Sequence, residues 1–157
     1  MTVPTHALSL IEPWATLLAI GAKRNETRDW STSFRGPFAI HASKKLDKEC
    51  CREEPFASVL QEHFACWNFL DCFRLGFIIG VAELLDDRPS EEMRPHQTAQ
   101  ELAFGDYYDG RRIFVCDYAQ TLLTPIPARG MLNFWRLTHE QRREIATQLR
   151  VPFEVPA

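Results

Sequence analysis

The sequence predicts an α+β domain built on a curled sheet or barrel, and three observations lead there. Short runs rich in β-branched and aromatic residues recur, with Phe77 to Leu85 the strongest. Helix-period stretches are interspersed among them. The 157 residues suit one domain with a real core.

His6 to Leu10 reads as the first short strand. Glu12-Pro13 opens a helix, because proline in a first turn loses no needed N–H. Trp14, Leu17, Leu18 and Gly21 fall at helical spacing, and Gly21 suits a helix stop. Asn25 to Trp30 reads as extended, and Ser31 to Gly36 as a loop. Pro37 to Ser43 alternates around Phe38, Ile40 and Ala42, as a strand does. Pro55 to Phe64 predicts a second helix, with Phe56, Val59, Leu60 and Phe64 as its apolar stripe. Phe77 to Leu85 is a strand interrupted by Gly80 and Glu83. Asp86 to Gln100 contains Pro89 and Pro95 and reads as a loop with a little helix. Gly110 to Tyr118 is a strand that Leu122 to Ile126 extends beyond a turn. Thr138, with Gln141 three residues on, caps a helix reaching Leu149.

Composition narrows the function classes. Hydrophobic residues make up 45% and charged ones 25%, an ordinary globular balance. No apolar run approaches the ~20 residues of a membrane helix. Met1 to His6 lacks the basic-then-apolar pattern of a secretory signal, so a cytoplasmic location is expected. The five cysteines form no Cys-x-x-Cys pair, which argues against structural zinc. They read as reduced thiols, with Cys66, Cys72 and Cys116 as small buried fillers. No metal and no cofactor is expected. The net charge of −3 hides an asymmetry. Seven bases face three acids between Ala22 and Lys48, whereas eight acids face two bases between Glu83 and Asp109. A basic face on an acidic protein fits that distribution, as does a mixed surface with no partner.

The densest cluster of chemistry is Gly21-Ala22-Lys23-Arg24-Asn25-Glu26-Thr27-Arg28. Positions two apart share a strand face, so Glu26 and Arg28 point the same way, with Lys23 close by in the turn.

Around this cluster the chain closely resembles the ASCH domains, relatives of the PUA fold. The likeness starts at Ala7-Leu8-Ser9-Leu10, Glu12-Pro13-Trp14-Ala15 and the Gly-x-Lys-x-x-Glu-x-Arg motif of residues 21–28. It continues through Trp30, Arg35-Gly36-Pro37 and Ile40-His41-Ala42-Ser43-Lys44. Gly80-Val81-Ala82-Glu83-Leu84, Pro125 to Gly130 and Phe134-Trp135 complete it. The resemblance implies a single domain over residues 1–157, a PUA-like β-barrel of mixed short strands flanked by helices. Residues 46–76 and 86–104 look like family-variable insertions. It also implies a cleft between the first helix and the barrel, and RNA or a modified nucleoside as partner. Some small members are amidohydrolases acting on N4-acetylcytidine, and ribonuclease activity has been suggested for others. The amidohydrolases carry threonine where Glu26 stands here, and Thr27 lies on the opposite strand face.

The candidate catalytic residues are Lys23, Glu26 and Glu83. Lys23 is a base if desolvated, a phosphate-binding cation, or a cap on the preceding helix. Glu26 either accepts hydrogen bonds from a base's exocyclic amine or pairs with Arg28 to hold the turn. Glu83 faces either solvent or a polar cleft. Trp30, Arg35, His41, Lys44, Lys45 and Arg129 extend the candidate binding face, by stacking and phosphate neutralisation. Three functions remain: an RNA- or nucleoside-binding module, a hydrolase (ribonuclease or acylated-nucleoside amidohydrolase), and a protein-interaction module acting through the acidic 83–109 segment.

Overall fold

The computed structural model describes residues 1–149; the expected domain end at residue 157 and the residues before it from 150 lie outside the described residues. Six strands form one mixed sheet, β1 (His6–Glu12), β2 (Asn25–Arg28), β3 (Gly36–Leu46), β4 (Phe77–Pro89), β5 (Arg112–Pro127) and β6 (Phe134–Arg136). Their order is β2-β5-β4-β3-β1-β6. β1 and β3 run parallel, and every other neighbouring pair is antiparallel. Five helices accompany them: α1 (Trp14–Ala19), α2 (Phe56–Phe64), α3 (Ser90–Met93), α4 (Ala99–Ala103) and α5 (His139–Gln148). The α+β expectation holds.

The sheet curls because its ladders are repeatedly broken. Register shifts occur three times between β4 and β5, and once each in β1·β3 and β3·β4. Each extra residue bends the strand and increases its twist. The ends of the curl meet through aromatic rings. Phe114 of β5 stacks 6.2 Å from Phe134 of β6, and Trp30 stands edge-on to both.

Strand alternation sends side chains into two cores. Leu8, Leu10, Phe38, Ile40, Leu84 and Phe114 fill one face together with Leu18 of α1. Ala7, Ile78, Val81, Ile126 and Trp135 pack on the other face, beneath Ile145 of α5. A third cluster lies behind α1, where segment 46–76 brings Cys51, Phe56, Leu60 and Phe73 onto Leu17.

Several elements depart from the expectation. β4 runs on to Pro89, so Asp86 to Pro89 is strand rather than loop. β5 is one continuous strand, and Tyr118 at φ 55 supplies a local irregularity where a turn was expected. β6 had no strand signal in its three residues. Cys66 is exposed and Cys72 half-buried, whereas Cys51 is the buried thiol of that region. Gly21 at φ +77 ends α1 as expected, and the Thr138–Gln141 capping box forms on α5.

Two contacts press α1 onto the sheet. Gly80 permits the closest approach, since a Cβ there would lie 2.9 Å from Ala19 Cβ and 2.8 Å from the Gln120 carbonyl oxygen. Glu12, fully buried, accepts from the Thr16 amide at 2.9 Å and the Thr16 hydroxyl at 2.7 Å. Burial pushes its carboxyl up to about 7, against the opposing pull of those two donors.

Gly80→Ala is expected to cost ~2 kcal/mol through overpacking, read as a lower urea midpoint at unchanged slope. Glu12 binds its proton more tightly folded than unfolded. Its contribution is therefore present below about 4.5 and is lost as pH rises towards about 7. Stability measured from pH 4.5 to 7 should lose that downward component in Glu12→Gln.

Candidate functional site

The site is built where β2 leaves the end of α1. Gly21 reverses the chain, and the Lys23 amide donates to the Leu17 carbonyl at 3.0 Å. This turn directs Lys23 inward, where it is 1% exposed. Its ammonium donates to Glu26 Oε2. Glu26 Oε1 accepts from Arg28 Nε at 3.0 Å, and Arg28 Nη2 donates to the Ser9 carbonyl at 3.0 Å. A chain of charged hydrogen bonds thus crosses from α1 through β2 to β1. β6 pairs with β1 only as far as Leu8, so Ser9 lies where that ladder has ended.

Electrostatics fix the protonation of this chain. Burial pushes the Glu26 carboxyl upward, but the charges of Lys23 and Arg28 and their hydrogen bonds outweigh it. The result lies below the usual glutamate range, so Glu26 is an anion at neutral pH. An ionised carboxylate between two cations accepts hydrogen bonds well and takes protons poorly.

A cleft of about 410 Å³ opens over these groups. Trp14 and Trp30 line it with Glu26, Arg28, Asp106 and Arg111. The Trp30 ring is held edge-on to Phe114 at 5.1 Å, which fixes its plane. Arg111 Nη2 donates to the Thr27 carbonyl at 3.1 Å, but its buried Nε–H has no partner among the described groups.

The 97–107 segment clamps the motif from outside. The Glu101 carboxylate accepts from the Arg24 and Asn25 amides at 3.1 and 2.8 Å. Asn25 Nδ2 donates to Gln97 and to the Tyr107 hydroxyl. A Cβ on Gly105 would lie 2.9 Å from Thr27 Cγ2 and 2.8 Å from the Tyr107 ring, so glycine lets this segment close on β2.

Comparison with known proteins identifies the fold. Superposition on the ASCH protein of Zymomonas mobilis yields a TM-score of 0.53 at 14% identity, covering 90% of this chain and 93% of that one. The chain folds as an ASCH domain. Two single-residue variants of the Zymomonas protein superpose equally well. In sequence, this ASCH fold is 27% identical over 133 residues to activating signal cointegrator 1 of Mus musculus, and 27% over 132 residues to that of Homo sapiens. Each match covers 83% of the chain, which spans only 22% of those relatives. No protein-family profile matches.

The ASCH fold divides the sequence-predicted site residues among several places. Glu26, Arg28 and Trp30 line the first cleft, and Lys23 lies buried behind Glu26, outside that lining. His41, Lys44 and Arg129 instead line a second groove of about 1080 Å³, and Ser9 borders both. Arg35 braces its own loop, donating to the Thr32 and Phe34 carbonyls, and Lys45 is exposed outside both clefts. Glu83 lies opposite Asp117, whereas the adjacent pair Leu84 and Cys116 enters the first core. Glu83 therefore projects from the sheet face opposite Leu84 and lines neither depression.

His41 is a hydrogen-bonded strand histidine. Its Nε2 lies 2.9 Å from the Ala128 carbonyl, which can only accept, so the neutral ring carries its proton there. Nδ1 then accepts from the Ser9 hydroxyl at 2.9 Å, and Ser9 Oγ accepts from Trp135 Nε1 at 3.0 Å. Burial lowers the His41 pKa below its ordinary value, despite the Ala128 bond, and favours this neutral form.

Sequence reasoning missed Arg111, Asp106 and Trp14 as cleft walls. The signal for Arg111 was the Arg111-Arg112 pair opening β5, but only pairing of Arg112 with Arg28 brings it alongside the motif. The acids of 83–109 are largely engaged internally. Asp87 binds Arg112 and the Thr32 amide, Glu92 binds Arg88, and Asp109 binds Arg94. Among the described residues no group of three or more metal-type ligands gathers, and no helix is long and apolar enough to cross a membrane.

Glu26→Gln leaves the Lys23 ammonium buried beside a neutral group, an expected loss of ~3 kcal/mol by denaturant unfolding at pH 7. The Glu26 contribution is present above the unfolded value of 4.5 and lost as pH falls through its lower folded value. Acid titration of stability below pH 4.5 should therefore be flatter in Glu26→Gln. Lys23→Met with Glu26→Leu should recover only part of the loss, because Arg28 still lacks its carboxylate partner.

Proposed function

We propose that this ASCH domain binds single-stranded RNA, taking one base into the cleft floored by Glu26 and Arg28. The observation that carries the reading is the ionised Glu26 carboxylate, pinned by Lys23 and Arg28 in a cleft that Trp14 and Trp30 also line. A carboxylate so held accepts from the exocyclic amine of a base, as it does with cytosine. Trp14 and Trp30 offer apolar surface against which a base can lie, and stacking is sequence-tolerant. Arg111 adds a second guanidinium to the cleft wall. The PUA-like barrel of ASCH domains is an RNA-binding fold, which supports the same ligand class.

Hydrolysis is the weaker reading. The ammonium of Lys23 is committed to Glu26, and Glu26 is held too acidic to serve as a general base at neutral pH. Thr27 accepts from the Asp106 amide at 3.1 Å on the strand face opposite Glu26. The engaged acids of segment 83–109 likewise give little support to a protein-docking face.

Fluorescence anisotropy with labelled 12-nucleotide RNA tests the reading. Arg28→Ala is expected to weaken binding about tenfold or more, since it removes a charged hydrogen bond and a cation. Oligocytidine should bind at least about fivefold tighter than oligouridine, which lacks the exocyclic amine. Equal affinity of Arg28→Ala and wild type would overturn the reading.

A further inference from the structure

We infer that the second groove, lined by Lys44 and Arg129, holds the phosphodiester backbone of nucleotides flanking the base in the first cleft. The inference rests on the RNA reading of that cleft and adds a second site to it. The two depressions share Ser9, which borders both. Between them runs the edge of β1 from Ser9 to Glu12, left without a strand partner on that side once β6 has ended at Leu8. Arg28 reaches this edge from the first cleft through the Ser9 carbonyl. His41 reaches it from the groove through the Ser9 hydroxyl. A strand leaving the first cleft across Ile11, 43% exposed on this edge, meets the groove next.

The groove has the chemistry of a phosphate track. Lys44 and Arg129 are exposed and form no ion pair among the described residues, unlike Arg24, Arg28, Arg35, Arg88, Arg94 and Arg112. Ser43 and Gln141 add polar groups, and no acidic side chain lines the groove. Its wall is rigid where it meets β1. A Cβ at Gly130 would lie 2.6 Å from Ser9 Oγ and 2.7 Å from His41 Cε1, so the chain passes directly over the Ser9–His41 pair. At about 1080 Å³ the groove exceeds the first cleft at about 410 Å³, as a track for several nucleotides should. Two cations spaced along it read backbone charge without reading sequence.

The test compares ligands of different length on the Lys44→Ala, Arg129→Ala double variant. Neither residue touches the first cleft or a core. Binding of labelled 12-nucleotide RNA should weaken about tenfold or more at low salt. The slope of log affinity against log salt should fall by about 1.4, at about 0.7 per phosphate of single-stranded RNA. Affinity for cytidine alone, followed by calorimetry, should not change. Unchanged 12-mer affinity and slope would overturn the inference, and so would an equal loss for cytidine, which would place the cations at the base cleft. Failure of the base-cleft reading looks different: Arg28→Ala would leave cytidine binding intact, whatever the groove variant does.

Discussion

Everything at the first cleft depends on one ionic chain, Lys23 to Glu26 to Arg28 to the Ser9 carbonyl. β2 lies at one end of the sheet and β1 near the other, and no backbone ladder joins them. Arg28 spans that seam with a side chain. Arginine cannot be buried there unless a carboxylate compensates it, and Glu26 is that carboxylate. Glu26 in turn needs the second cation, because burial alone would drive it neutral. Each link exists because its neighbour would otherwise be an uncompensated charge.

Rigidity of the chain comes from outside it. Glu101 absorbs the amides of Arg24 and Asn25, which would otherwise end β2 unsatisfied. Gly105 lets the same segment approach Thr27 closely. The aromatic seam of Trp30, Phe114 and Phe134 packs into the core whose Trp30 edge borders the cleft. Burial strengthens a charged hydrogen bond and raises the cost of losing it. The cleft is therefore held open by groups that cannot relax independently.

Much of this was legible in the sequence, and what was not has a physical reason. Gly21 after an apolar helical run fixed the helix stop, and period two placed Glu26 beside Arg28. The Gly-x-Lys-x-x-Glu-x-Arg spacing located the site because its residues are close in sequence. The face of Glu83, solvent or cleft, stayed open in the sequence for the opposite reason. Its face depends on the β4–β5 register, which three irregularities reset. Arg111 and Asp106 were invisible because residues 97–111 return to β2 across some eighty residues of chain. The split of His41 and Lys44 from the motif follows from β3 and β2 lying three positions apart in the sheet order, with β5 and β4 between them. No local pattern encodes that distance.

The indole groups give the molecule one further property. Trp14 and Trp30 border the first cleft, and Trp135 donates to Ser9, the residue common to both depressions. Trp67, 86% exposed, lines neither of them. Two of the four tryptophans thus line the first cleft, and a third is one hydrogen bond from a residue on its wall. The unlabelled protein carries its own optical reporter, and replacing Trp67 by phenylalanine would leave that reporter with almost no background.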